Sequence, residues 1–431
     1  MKIRITPISV VLFIYLVVFV LHFTIAEVVV PPLTNVYYAC TFLFLGFLLS
    51  RNKLETITFP LILAAIVSMV LSTNVTLETY MRFFSSILVL LVAGPLLQNK
   101  KINKIRDHLF WWIIYIYVFI TIGSLIWVMA GLPSLSPGKL PIAPGREYFR
   151  NGIAQHEMLL APMAGISAIY AWHNLFFLQI SKRTRILNVI LFFCACATML
   201  MASSRVVLVS VLLTFIFSFS TRFGVFLKKI RKNTGWVSLA VIVLLFALAP
   251  AGIYLSKFIE NNTRIEAKGT ANSRVEMWAA RFADFELNPF SGAGFASVSK
   301  EVIENENLRS GVAKGGQIEF GSLYLQVLST MGALGVAALL LFFGRIFFIG
   351  YINRMKPMAH LPLLMFIFLI LQAVAETHIF AAGDVLCVFS WLVFTRLYNL
   401  QYIHKVNLKP VKKASLASEM QTFNQQRLQE Q

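Results

Sequence analysis

Three arginines carry the clearest chemical signal in this chain: Arg205, in Ser203-Ser204-Arg205, and Arg274 and Arg281, in Ser273-Arg274…Arg281. A guanidinium presents a planar fork of N–H donors that matches a phosphate. Seven residues are about two helical turns, so Arg274 and Arg281 return to nearly one face of a shared helix. The residues around them read as that helix. Ser273 and Glu276 have the spacing of a capping box, and Val275, Trp278, Ala279 and Phe282 form an apolar stripe at i, i+3, i+4 and i+7. Asn288-Pro289 ends it, and Ser291-Gly292-Ala293-Gly294 is a turn. The pattern predicts a helix over 273–285 with its apolar face on the membrane surface or on the bundle top. Arg274 then stands at a helix start, where free N–H groups also favour anions. A solvated face with pairs such as Arg274–Asp284 or Arg281–Glu276 is the plainer alternative. Arg205 lies where two apolar runs meet, so it needs a partner or the interface. A phosphate and a lipid headgroup both satisfy that need.

Other titratable groups gather at three places. Arg146, Arg150, Gln155, His156 and Glu157 precede one apolar run. His156 there is either a general base or a solvated loop histidine. Glu376, His378 and Asp384 lie between the last two apolar runs, as a reactive cluster or as hydrogen bonding across a hairpin. Glu319 leads through Phe320-Gly321-Ser322 into a run that reaches Gly332-Ala333-Leu334-Gly335. Glycines there permit close helix approach, and Glu319 suits a helix start. The chain has three aspartates, no Asp-x-Asp pair, no GxxxxGK and no HExxH. Neither a metal nor a cofactor is expected, and ATP-driven transport and zinc proteolysis are disfavoured. Chemistry must then use a donor already activated, and a lipid pyrophosphate suits the arginines. Cys40, Cys194, Cys196 and Cys387 all fall in apolar runs, and Cys194-x-Cys196 lacks the spacer of a metal or redox pair.

The elements that must position these residues follow from composition. Of 431 residues, 58% are hydrophobic and 13% charged, with mean hydropathy +0.74. A soluble domain carries about a quarter charged residues. The apolar excess lies in runs long enough to cross a bilayer as helix. We read about twelve spans, at 8–26, 33–50, 56–73, 83–97, 109–130, 158–178, 186–202, 206–220, 236–255, 320–343, 358–375 and 382–398. The expected fold is an all-α polytopic membrane helix bundle. With the N-terminus inside, the inner side holds 25 Lys and Arg against 4 acids, and the outer side 13 against 15. The net charge of +19 is therefore topological, with attraction to anionic membrane lipids added, and no nucleic-acid partner is expected. Both termini fall on the cytoplasmic side. Residues 1–408 form one transmembrane domain with large outer loops at 131–157 and 256–319, and 409–431 read as a disordered tail. The first span lacks a small-x-small cleavage site and reads as retained. No internal repeat is visible, and ionisable residues sit at span ends, both of which weigh against a transporter.

Together these motifs resemble the O-antigen ligase and O-antigen polymerase superfamily of bacterial inner-membrane glycosyltransferases. Their order is Arg150-x-Gly152, Ser204-Arg205, Ser273-Arg274…Trp278 through Asn288-Pro289-Phe290-Ser291-Gly292-Ala293-Gly294, the pattern from Gly321, and Glu376. The resemblance covers roughly residues 140–395. It implies one large, partly helical periplasmic loop and metal-independent transfer of glycan from undecaprenyl pyrophosphate. Arg205 and Arg274 would bind and stabilise the leaving pyrophosphate, with Arg281, Arg150, Ser322 and Glu376 as further substrate contacts. Ligases carry His-Asn, nine residues, then Gly-x-x-Gly, the histidine being the proposed base. Here the same spacing begins with Gly321-Ser322. Glu319 is the first substitute base, ahead of His156 and His378. Loss of the histidine favours a polymerase, whose acceptor is another lipid-linked repeat unit, over a ligase, whose acceptor is lipid A-core. A polysaccharide or lipid flippase is the weaker alternative, and a non-catalytic assembly partner the weakest.

Overall fold

The structure, a computed structural model, describes residues 53–132, 152–154, 157–202, 204–232, 270–299, 302, 321–382 and 384–407, with 14, 15, 17, 18, 20, 21 and 24. For 53, 157, 221–232, 270–277 and 402–407 that description is of the backbone. Among these residues the fold is almost wholly α-helical. Its helices are α1 (Phe59–Leu71), α2 (Leu77–Val92), α3 (Lys100–Met129), α4 (Glu157–Phe177), α5 (Lys182–Met201), α6 (Arg205–Lys232), α7 (Thr270–Leu287), α8 (Leu323–Ile352), α9 (Pro357–Gln372) and α10 (Val385–Asn407). A two-residue antiparallel ribbon pairs Lys53 with Gln98 and Leu54 with Leu97. The expected spans 33–50 and 236–255 and the tail 409–431 lie outside the described residues.

α3, α5 and α8 are long and apolar enough, by length and composition, to cross a membrane. α9 and the apolar parts of α1, α6 and α10 are shorter. Several helices overrun the expected spans, because Lys and Arg are good helix formers and do not end a helix. α3 begins at Lys100, where the Asn99 side chain accepts from Lys101 N, so the basic stretch is its first turns. α8 carries on through Arg345 to Ile352. α2 starts six residues before the span expected at 83, behind a Thr76–Thr79 capping box.

Two layers of the bundle can be ordered from close contacts. Gly165 of α4 lies against both Val207 and Phe368, which sets the start of α6 and the end of α9 at one level. Gly350 of α8 lies against Leu363 and Leu397, which sets the other level. At that second end Arg106 caps α2, donating from Nε to the Val92 carbonyl at 2.8 Å and from Nη2 to the Leu91 carbonyl at 2.9 Å. The guanidinium thereby satisfies carbonyls that a helix end leaves open. Arg396 of α10 meets Asp107 at 3.0 Å there, and the Tyr398 hydroxyl donates to Glu55 at 2.8 Å.

Candidate functional site

The site end is built around a break in α8. Gly332 has φ 61° and ψ −158°, a conformation open essentially to glycine alone. A helix broken there loses the bonds from the amides of 333 and 334 to the carbonyls of 329 and 330. The turn after α7 replaces both. Ala333 N donates to the Pro289 carbonyl at 2.9 Å and Leu334 N to Phe290 at 3.3 Å, while Ala293 N donates to Ser329 at 2.8 Å and Gly294 N to Thr330 at 3.1 Å. Four bonds between segments thus stand in for two within the helix. The approach is so close that a Cβ on Gly292 would lie 2.3 Å from the Thr330 carbonyl carbon, and one on Gly332 would lie 2.4 Å from the Phe290 oxygen.

The following segment, Gly292–Ser299, is buried throughout, which for a loop demands partners for its backbone. The Ser72 hydroxyl donates to the Ala293 carbonyl, Arg82 Nη1 donates to Ala296 at 3.1 Å, and Thr79 and Ser297 share a hydroxyl contact at 2.8 Å. Ser299 N donates to Asp284 Oδ1 at 2.9 Å, and Asp284 Oδ2 pairs with Arg281 Nη1 at 3.2 Å. Both side chains of that pair are fully buried. Burial lowers the proton affinity of Arg281, and the Asp284 charge offsets part of the drop.

A second construction meets the start of α8. Leu323 N, an orphan donor of that helix end, donates to the Ala373 carbonyl at 3.0 Å and the Glu376 carbonyl at 3.2 Å. This ties Ser322 to the α9–α10 hairpin, whose middle is a single turn at His378–Phe380. His378 Nδ1 is hydrogen-bonded to Asp384 Oδ2, and Nε2 lies 3.8 Å from Glu376 Oε2. Asp384 in turn caps α10, its Oδ1 accepting from Leu386 N at 2.8 Å. Burial pulls the imidazole down, but the Asp384 charge and hydrogen bond, with the Glu376 charge behind them, outweigh it and raise it above the ordinary histidine value. Phe380 of the hairpin, Phe295 of the loop and Met331 beside the break line one apolar cavity, so the two constructions adjoin.

The expected site residues divide accordingly. Ser322, Glu376 and His378 come together. Arg205 opens α6 and is exposed, at the same level as the end of α9. Arg274 falls in α7, but that helix starts at Thr270 rather than after Ser273. Ala271 favours helix and nothing before Pro289 stops it, so Arg274 is not in the first position. Arg281 meets a different arrangement from a donor-facing one: it is enclosed against Asp284, a pairing at i, i+3 that neither expected pair names. Glu319, His156 and Arg150 lie outside the described residues, although Gly152 is fixed against Ser124, which accepts from Ile153 N at 3.2 Å. Cys194, Cys196 and Cys387 are free thiols within helices, and Cys40 lies outside the described residues. Sequence reasoning missed the role of Arg82 and of the inserted turn. The clustered small residues at 291–294 and Gly332 were the available signal.

Residues 190–340 match the family model described as O-antigen ligase, and they contain both halves of the interlock, the 288–294 turn and Gly332. Over that segment the chain is similar to the O-antigen ligase family, which supports a place in the O-antigen ligase and polymerase superfamily. No curated protein matches it. The superfamily segment starts in α5, takes in Arg205 and α7, and ends midway along α8. The match and the apolar helices together support a membrane protein, and members of that family are glycosyltransferase-like ligases and polymerases of lipid-linked glycans in general.

Proposed function

We propose that the protein is a polysaccharide polymerase of the bacterial inner membrane. It transfers an oligosaccharide from undecaprenyl pyrophosphate to another lipid-linked repeat unit on the periplasmic face, without a metal. Its termini lie in the cytoplasm, residues 1–408 form one transmembrane domain and 256–319 form the large periplasmic loop. The observation that carries the reading is the match over 190–340, whose 288–294 turn is locked into a broken helix beside a titratable hairpin. Arg205 and Arg274 hold the donor diphosphate and stabilise it as it leaves, which oriented cations achieve at little reorganisation cost. Arg150, Ser322 and Glu376 contact the glycans. Arg281 supports this surface from beneath, through Asp284 and Ser299.

The second reading is a ligase that delivers the glycan to lipid A-core, favoured by the description of the matching family. Gly321-Ser322, where ligases carry His-Asn, favours the polymerase. The flippase reading finds no support in the family match. Arg205→Ala and Arg274→Ala should each abolish long polysaccharide at normal protein level and membrane insertion. Full activity in both would remove the diphosphate clamp. The surface glycan of a deletion strain separates the two enzymes: single repeat units on lipid A-core mark a lost polymerase, and long chains left on the lipid carrier mark a lost ligase.

A further inference from the structure

We infer that His378, steered by Asp384, is the base that takes the proton of the acceptor hydroxyl, acting from the α9–α10 hairpin at Nε2. The inference rests on the glycosyl-transfer reading above. Transfer to a hydroxyl needs a group at this end of the bundle that can accept a proton. Among the described residues Arg82 and Arg205 cannot, because a guanidinium stays protonated. Asp284 is enclosed against Arg281. Asp384 has one oxygen on Leu386 N and the other on His378. Glu78 pairs with Arg82 at 3.6 Å, and Glu286 is exposed near the end of α7. Beside the start of α8 stand Glu376 and His378, and the imidazole is the one whose Nδ1 is held by a carboxylate.

The orientation is specific. A carboxylate that accepts at Nδ1 keeps the proton on that nitrogen and the lone pair on Nε2. Nε2 has no hydrogen-bond partner among the described residues, although it is buried. An unpartnered buried acceptor is costly and calls for a purpose. At 3.8 Å, Glu376 is too far to hydrogen-bond it yet close enough to stabilise the imidazolium once a proton arrives. The hairpin is fixed to α8 through Leu323 N, so the imidazole is held against the helix that also receives the 288–294 turn.

In the step itself, the acceptor oxygen forms a bond to the anomeric carbon of the donor sugar and its proton passes to Nε2. The bond from that carbon to the phosphate oxygen breaks, and undecaprenyl pyrophosphate departs with the electron pair. The imidazolium then returns its proton to water or to the departing diphosphate.

Other groups face the pair without competing. Tyr117 of α3 donates to the Val385 carbonyl at 3.4 Å, and Cys387 of α10 to Ile379 at 3.1 Å. The charged neighbours of the imidazole among the described residues are Asp384 and Glu376.

The experiment uses membranes of a deletion strain carrying wild-type protein or a variant. They are supplied with that strain's own undecaprenyl-pyrophosphate-linked repeat units and assayed across pH. His378→Gln should lose at least about 100-fold of the rate. Asp384→Asn, which still caps a helix, should keep part of the rate, and its acid-side limb should move to lower pH because the imidazole loses its partner. A structural role alone would lower protein level and leave that limb in place. His378→Gln at wild-type rate, or an Asp384→Asn limb that does not move, overturns the inference. So does loss confined to Glu376→Gln, which would make Glu376 the base. If His378→Gln fails to accumulate, the Asp384→Asn limb decides alone. Wild-type membranes that extend no chains would sink the glycosyl-transfer reading itself. Extension by both wild type and His378→Gln would sink only the base.

Discussion

At the scale of single residues, Arg281 and Asp284 define one another. A guanidinium with no exposed surface is tolerable only beside a charge, and Asp284 also holds the Ser299 amide. Removing one member of such a pair strands the other. Asp284→Ala should therefore cost on the order of 3 kcal/mol, seen as a lower thermal midpoint of the detergent-solubilised protein. An unchanged midpoint would deny the pair its structural role. His378 gives a pH signature of the opposite kind to a typical carboxylate. Its folded-state value is raised. Its contribution to stability is therefore complete below about pH 6.5, the ordinary histidine value, and fades as pH climbs through the raised one. Midpoints measured across that window should fall with rising pH in the wild type and flatten in His378→Gln. The sequence placed Ser322, Glu376 and His378 as candidates; His378 lies 3.8 Å from Glu376, and Ser322 is next to Leu323, whose amide donates to the Glu376 carbonyl. It could not show that Arg281 turns inward. Both Asp284 and Glu276 are reachable from Arg281 along a helix, and only the burial of Ala280 and Asp284 beside it fixes which face is internal.

At the scale of elements, the interlock between the 288–294 turn and α8 is the feature hydropathy could not reveal. The apolar run continues on both sides of Gly332, so periodicity reads one unbroken helix, and the glycines read as a surface for close packing. The break depends instead on a backbone conformation and on two carbonyls and two amides finding partners 36 or 44 residues away in sequence. Gly332→Ala and Gly292→Ala should each be destabilising by at least ~2 kcal/mol, through positive φ and contact with backbone that cannot yield. Gly344→Ala is the control. An added Cβ there meets nothing, so replacing a helical glycine should be neutral or stabilising by ~0.5–1 kcal/mol. Equal midpoints for all three variants would mean that the turn does not hold the helix. The helix over 273–285 was legible from its cap-like residues and its stop. Its true start at Thr270 was not, because Ser273 fits a helix interior as well as a cap.

At the scale of the whole molecule, composition alone indicates a helical membrane protein. The helices that carry Lys100–Arg106 and Arg345 place those charges at helix ends rather than in loops. Charge asymmetry predicts the sidedness on which the proposed chemistry depends. Single cysteines placed in the 256–319 loop should react with a membrane-impermeant maleimide in intact spheroplasts, and cysteines in 409–431 only after lysis. The reverse pattern would turn the arginines toward the cytoplasm. Central to the account is a sugar leaving a lipid diphosphate for a hydroxyl, with the protein's own side chains and no metal. The most direct measurement is to place the purified protein in nanodiscs with undecaprenyl-pyrophosphate-linked repeat units and excess EDTA, and to count undecaprenyl pyrophosphate released against glycosidic bonds formed. The account predicts lengthening chains with one carrier released per bond. Chains that lengthen only when a divalent metal is restored, or no carrier released at all, would contradict it.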